Sequence, residues 1–137
     1  MSDASDSMSI SAAGLRAQAA RMRIISENIA NADSTAREPG GDPYRRQIPV
    51  FEAELDRVTG LSHVRMNDVA YDQSEFTLEF DPGHPAADEA GYVRTSNVET
   101  LVEMMDMREA MRSYEANLNM IENSRRMQER TLDLLRR

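Results

Sequence analysis

Cysteine, lysine and tryptophan are all missing from this 137-residue chain. Without cysteine there are no disulfides, thiolate metal ligands or thiol nucleophiles, and composition leaves the redox compartment open. All 16 cationic side chains are arginine, which excludes Schiff-base chemistry and a phosphate-loop lysine. Genomic base composition suffices to explain that bias, because Arg and Lys differ chiefly at bidentate or stacked sites. Aromatics are only 5% of the residues, too few for an aromatic-rich core or a deep apolar pocket. Positive charge is also short: the formal net charge is -8, which disfavours nucleic acid as a partner. No run of roughly 18 apolar residues occurs, so no membrane span is expected. Residues 1–15 lack a basic n-region and an apolar h-region, which points to a cytosolic protein or to export by a route that reads no cleavable signal. The length suits one compact domain, and neither an internal repeat nor a low-complexity tract is visible.

Two helical patterns flank a different middle. Met8, Ala12, Leu15, Ala19, Met22, Ser26 and Ile29 recur in steps of four and three, predicting a coiled-coil-like helix from about Ser9 to Asn31. Asn31, Asp33 and Ser34 supply residues tolerant of the left-handed region and of turns at its end. The second pattern is stronger: Met104, Met107, Met111, Tyr114, Leu118, Ile121, Arg125, Gln128, Leu132 and Leu135 keep the same steps without a slip. Ser96 with Glu99 has the form of a capping box and predicts a start near Val98. Glu122 with Arg126, and Asp133 with Arg137, have the favourable i,i+4 order. Such a helix would be on the order of 60 Å long, whereas a globule of this length has a radius of gyration of about 14 Å. Its apolar stripe is therefore expected to meet another molecule, and the methionines in it suit an adaptable packed seam.

Between them, Glu38-Pro39-Gly40-Gly41-Asp42-Pro43 cannot continue a helix and reads as a loop or linker, since proline lacks the amide donor. Phe76, Leu78 and Phe80 alternate with polar residues as a half-buried strand, and Val64 with Met66 and Ile48 with Val50 are weaker versions, giving three short strands. Asp81-Pro82-Gly83 reads as a type II turn with Gly83 at positive φ.

Little here suggests chemistry. Asp81, His84, Asp88 and Glu89 could be offered to a divalent metal, but the spacing matches neither an EF-hand loop nor an HExxH helix, and a solvated turn is the expectation. His63 lacks an identifiable nucleophile and orienting partner. Residues 68–91 hold seven carboxylates and no arginine, which is either a solvated acidic face or one that meets an Arg-rich neighbour. No catalytic, cofactor-binding or metal residue is assigned.

A series of short motifs remains. Glu27-Asn28-Ile29-Ala30-Asn31-Ala32, at the end of the first helix, resembles the N-terminal motif of the axial proteins of the bacterial flagellum. Pro43-Tyr44-Arg45-Arg46 and Val50-Phe51-Glu52 follow. Then come Asp81-Pro82-Gly83-His84-Pro85, Gly91-Tyr92-Val93, Asn97-Val98 and Glu103-Met104. The series closes on Arg112-Ser113-Tyr114-Glu115-Ala116-Asn117. Together, over nearly the whole chain, they resemble the proximal-rod proteins of the flagellar basal body.

The resemblance implies a mainly α protein whose N- and C-terminal helices (residues 1–33 and 96–137) form an antiparallel coiled-coil-like pair in the inner layers of a helical tube. Residues 34–95, loops and short strands, would decorate its outside. It further implies a structural subunit of the periplasmic rod, exported unfolded through the flagellar type III apparatus, with other rod proteins and copies of itself as partners. Heterologous contacts that do not close would build the tube. The assembly seam is then expected at Leu15, Met22, Ile29, Met104, Met107, Met111, Tyr114, Leu118, Ile121, Leu132 and Leu135. A soluble coiled-coil adaptor or chaperone is the alternative, and a small metal-dependent hydrolase a remote one.

Overall fold

A computed structural model describes residues 2–137. Two long helices enclose four strands in sequence: α1 (Ser2–Ala30), β1 (Gln47–Leu55), β2 (Ser62–Tyr71), β3 (Thr77–Phe80), β4 (Tyr92–Thr95) and α2 (Thr100–Leu135). The expected arrangement of terminal helices around short strands is present. The strands pair as two separate two-stranded sheets, β1 with β2 and β3 with β4, four strands where the sequence pattern suggested three. The unanticipated strand is β4, which lies antiparallel to β3 with Thr77 opposite Thr95 and Phe80 opposite Tyr92.

Helix boundaries depart from the sequence expectation for local reasons. Helix α1 begins at Ser2, seven residues before Ser9. Asp3 in its first turn complements the positive end of the helix dipole, and Ser7 finds the Ser124 hydroxyl at 3.4 Å. At the other end Asn31 does not enter the left-handed region. Its side-chain amide instead donates to the Glu27 carbonyl at 2.8 Å and caps the last turn. Helix α2 begins at Thr100 because Ser96, a buried residue, uses its hydroxyl to accept the Val98 N–H only two positions on. The Glu99 carbonyl then accepts the first helical bond, from the Glu103 N–H at 3.0 Å.

The chain divides into two compact units, where its length suggested one. The first takes the chain up to Met22 together with Val50–Asp68 and Arg108–Arg137. In it α1 and α2 run antiparallel: Ser7 meets Ser124, Gly14 faces Asn117, and Arg21 pairs with Glu109 at 3.5 Å. Small residues stand at this contact, with Gly14 against Asn117 and the buried Ser124 against Ser7, while the buried Ala13 and Ala17 line a cavity together with residues of β1 and β2. A Cβ on Gly14 would stand 2.8 Å from the Asn117 amide, so glycine is what lets the helices approach there. The Ser9 hydroxyl and His63 Nε2, 2.9 Å apart, tie α1 to β2.

The second unit comprises Arg23–Pro49 and Val69–Met107. Its apolar cluster is small, Ala36, Ala86 and Val93, with Ile24, Ile25 and Val98 also buried. Strand β3 is exposed on both faces, so the alternation of Leu78 and Phe80 does not mark a buried side. Phe80 instead meets Tyr92 edge-on at 5.3 Å, and Phe76 lies under the guanidinium groups of Arg45 (4.3 Å) and Arg94 (5.1 Å). The 81–84 turn is closed by the His84 N–H donating to the Asp81 carbonyl at 3.1 Å. Gly83 is not at positive φ, so the type II geometry is not adopted. The left-handed residue is Gly91, at φ 87°, whose N–H and carbonyl bond Asp88 and Asp81.

Candidate functional site

The most ordered polar site lies in the second unit, where α1, the start of β1 and α2 bring together residues that the chain scatters over 75 positions. Asn28 is 1% exposed, yet all four of its hydrogen-bonding positions are used. Its Nδ2 donates to the Gln47 carbonyl at 2.9 Å and to Glu103 Oε2 at 3.1 Å. Its Oδ1 accepts the Tyr44 hydroxyl at 2.8 Å and the Gln47 N–H at 3.0 Å. Asn28 thereby substitutes for a strand partner at the beginning of β1.

Glu103, fully buried, uses its second oxygen to accept from Arg46 Nε. Arg46 spans two further carboxylates at 3.5 Å, Asp72 and Asp106, while its backbone N–H donates to Asn97 Oδ1 at 2.7 Å. Burial by itself would lower the Arg46 pKa, but the hydrogen bond and charge of Glu103, joined by Asp72, outweigh it and the net shift is upward. Asp72 is held below the usual carboxyl range, first by the Ser74 N–H and hydroxyl and then by Arg46. Burial pushes the Tyr44 phenol up, and the charges of Glu27 and Glu103 add to it. These shifts favour the charged forms of Arg46 and Asp72 and the neutral form of Tyr44, as suits a clasp that fixes a fold.

The candidate metal cluster is otherwise engaged. His84 Nδ1 accepts the Ala86 N–H at 3.0 Å, and its Nε2 lies 3.3 Å from the Thr35 hydroxyl. Asp88 accepts the Tyr92 N–H at 2.9 Å. Among the described residues no group of three or more His, Cys, Asp or Glu side chains could hold a metal ion, and no helix is long and apolar enough to cross a membrane.

The motif residues fall into three places. Asn28 and Tyr44 join the clasp, and Arg45 donates to the carbonyls of Asp72 (2.8 Å) and Ser74 (3.2 Å) beside it. Asp81, Pro82, Gly91 and Tyr92 shape the turns around β3 and β4, with the Asp81 N–H on the Gly91 carbonyl at 2.9 Å. Ser113 and Asn117 belong to α2, where the Asn117 amide donates to the Ser113 carbonyl.

The expected seam residues do not form the face that α2 turns to α1. That face runs through Glu103, Ala110, Asn117 and Ser124, a seven-residue spacing of polar and small side chains. Met104, Met111, Leu118, Leu132 and Leu135 remain exposed, while Met107, Tyr114 and Ile121 are half-buried, as are Leu15, Met22 and Ile29 in α1. Arg46, Asp72, Asn97 and Glu103 were not picked out as site residues. A charged residue recurring in step with Ala110 and Ser124 was the available signal for Glu103.

Comparison with known proteins agrees with this architecture. The family model described as flagella basal body rod protein matches residues 8–37, and that described as flagellar basal body rod FlgEFG protein C-terminal matches residues 89–134. The chain is 50% identical to the flagellar basal-body rod protein FlgC of Agrobacterium fabrum, covering 93% of this chain and 91% of that protein. It is 40% identical to FlgC of Aquifex aeolicus (97% and 98%) and 32% identical to FlgC of Bacillus subtilis (93% and 95%). The chain belongs to the FlgC family of flagellar basal-body rod proteins, which are structural subunits and not enzymes.

Proposed function

We propose that this rod subunit polymerises through its terminal helices into the periplasmic drive shaft that carries torque from motor to hook. In this reading residues 1–33 and 96–137 pair as a coiled coil in the inner layers, and residues 34–95 face outward. Copies of the chain and other rod proteins are its neighbours. The flagellar type III apparatus exports it unfolded, and the clasp around Asn28 forms after export.

One observation carries the reading: α2 already has one face against α1, yet a second stripe through Met104, Met111, Leu118 and Leu132, interrupted by Arg125, stays open to solvent. Exposed apolar surface of that kind marks interaction sites in soluble proteins. The test is Leu118→Asp as the sole copy in the cell, which places a carboxylate in the contact. Export should persist, since an unfolded chain is what is exported, while basal-body yield and swimming should be lost. Normal swimming would refute the stripe as an assembly seam.

A further inference from the structure

In the second unit the pair of β3 and β4 turns an apolar side to solvent. Leu78 and Phe80 share one face of β3, with Arg94 and Tyr92 opposite them on β4, while Glu79 and Val93 lie on the other face. Val93 is buried in the unit's apolar cluster, so the Leu78 face points outward; Leu78, Phe80 and Tyr92 are 61%, 64% and 43% exposed. The edge-on contact between Phe80 and Tyr92 holds both rings in place on that face.

Strand β3 also has an open edge. Among the described residues its one ladder neighbour is β4. The Asp81 N–H reaches the Gly91 carbonyl at 2.9 Å, so by the two-residue alternation of an antiparallel ladder Thr77 and Glu79 turn their backbone groups to β4. Those of Leu78 and Phe80 point the other way. All four residues of β3 are exposed, which leaves these donors and acceptors open to an added strand, the way sheet edges take up extended peptides.

Charge decides what that strand must carry. Glu75, Glu79, Asp81 and Glu89 are exposed on β3 or in the segments that enter and leave it, and among the described residues none of them stands in an ion pair. The two arginines stacked on Phe76 are engaged, Arg94 with Asp42 at 3.1 Å and Arg45 with the carbonyls of Asp72 and Ser74.

We infer that the free edge of β3 takes up, as an antiparallel strand, an extended segment of another protein in which arginine or lysine stands between two aliphatic residues. The aliphatic side chains pair with Leu78 and Phe80 on the outward face, and the cation stands opposite Glu79. On this edge Glu79 occupies a non-hydrogen-bonded position, where facing side chains come closest, and an opposite charge there stabilises the pairing. A second copy of this chain is the wrong occupant, since it brings the same carboxylates and a net charge of -8. The surface lies wholly in the second unit and does not involve the apolar stripe of α2.

The test uses the purified full chain and a capped heptapeptide with arginine at its centre, valine on either side, and threonine and then serine outside. The peptide should bind with a Kd at or below about 1 mM, and the backbone amide signals of Leu78 and Phe80 should move most. Glutamate in place of the central arginine should weaken binding at least about tenfold, and Glu79→Arg in the chain should reverse that preference. N-methylation of both valines, whose N–H groups face β3, should abolish binding, whereas N-methylation of the arginine, whose N–H points away, should leave it little changed. These peptide changes leave the chain untouched, so the test holds even if Glu79→Arg fails to fold. Failure to bind at that level, equal binding of the arginine and glutamate peptides, tolerance of the doubly methylated peptide, or signal changes confined to residues away from β3 would each overturn the inference. So would self-association of the chain that Glu79→Arg abolishes, because a second copy would then be the occupant.

Discussion

Asn28 and Glu103, 75 positions apart, meet at 3.1 Å with both side chains out of solvent. This contact joins the end of α1 to the first turn of α2, and the remaining bonds of Asn28 fall on the chain entering β1. Removing either partner leaves desolvated groups behind, which costs more than the bond itself contributes.

Asn28→Ala should therefore lower stability by about 2–4 kcal/mol, since it strands the Gln47 N–H and carbonyl, the Tyr44 hydroxyl and one Glu103 oxygen. Urea unfolding followed by circular dichroism reads this directly. A loss under about 0.5 kcal/mol, typical of an exposed surface site, would mean that water replaces the amide at no cost.

Arg46→Met should cost about 3–5 kcal/mol, because Glu103 would be left buried without its cation. Pairing it with Glu103→Leu should return part of that loss, as uncharged pairs of similar volume are often no worse than buried ion pairs. The comparison of single and double variants by thermal melting decides it; a double variant less stable than Arg46→Met would show that Glu103 serves Asn28 more than Arg46.

At the helix contact of the first unit, Gly14→Ala should destabilise even though alanine is the better helix former by about 1 kcal/mol. The new methyl group meets the Asn117 amide. Combined with Asn117→Ala the substitution should become neutral or stabilising, a coupling of about 1–2 kcal/mol in a double-mutant cycle.

Gly91→Ala should cost about 1–3 kcal/mol, through its positive φ and a Cβ only 2.9 Å from the Phe80 ring. Gly83→Ala should stay within about 0.5 kcal/mol, since Gly83 lies outside the left-handed region and its Cβ would meet nothing closer than 3.7 Å. Equal losses at the two positions, measured by urea midpoints, would contradict the turn assignment.

The Asp72 carboxyl is depressed in the folded chain from an ordinary value of 3.8, chiefly by the Ser74 N–H. Its contribution is fully present above that value and is lost as the pH falls through the lower folded-state pKa. Asp72→Asn should therefore be the less stable chain at pH 6, with the gap narrowing below about pH 4. A gap that stays constant from pH 6 to pH 2 would assign the effect to packing.

Helices were legible from periodicity because a period near 3.5 residues repeated over long stretches has few other interpretations. Local hydrogen bonds set the ends, and these escaped: Ser96 spends its hydroxyl on Val98, and the mostly polar residues 2–8 are helical with Ser7 against Ser124. Strand β4 escaped because Tyr92-Val93-Arg94-Thr95 is too short for an alternation to register. The motif around Asn28 was readable as a string, as were those that hold Arg46, Asn97 and Glu103, but their meeting with each other and with Asp72 was not, since no spacing rule links residues brought together across 75 positions.

The amino-acid sequence by itself determined that two helices would flank a turn-rich middle, that thiol and lysine chemistry were absent, and that aliphatic and methionine side chains would line one stripe of α2. These follow from composition and from periods set by backbone geometry, which act locally. Tertiary structure alone decided which face of α2 receives α1. The apolar stripe is the better hydrophobic surface, but the row through Glu103, Ala110, Asn117 and Ser124 lets the backbones approach closely and satisfies the buried Asn28 amide. Close approach and hydrogen-bond satisfaction are properties of two surfaces together, and no single stretch of chain encodes them.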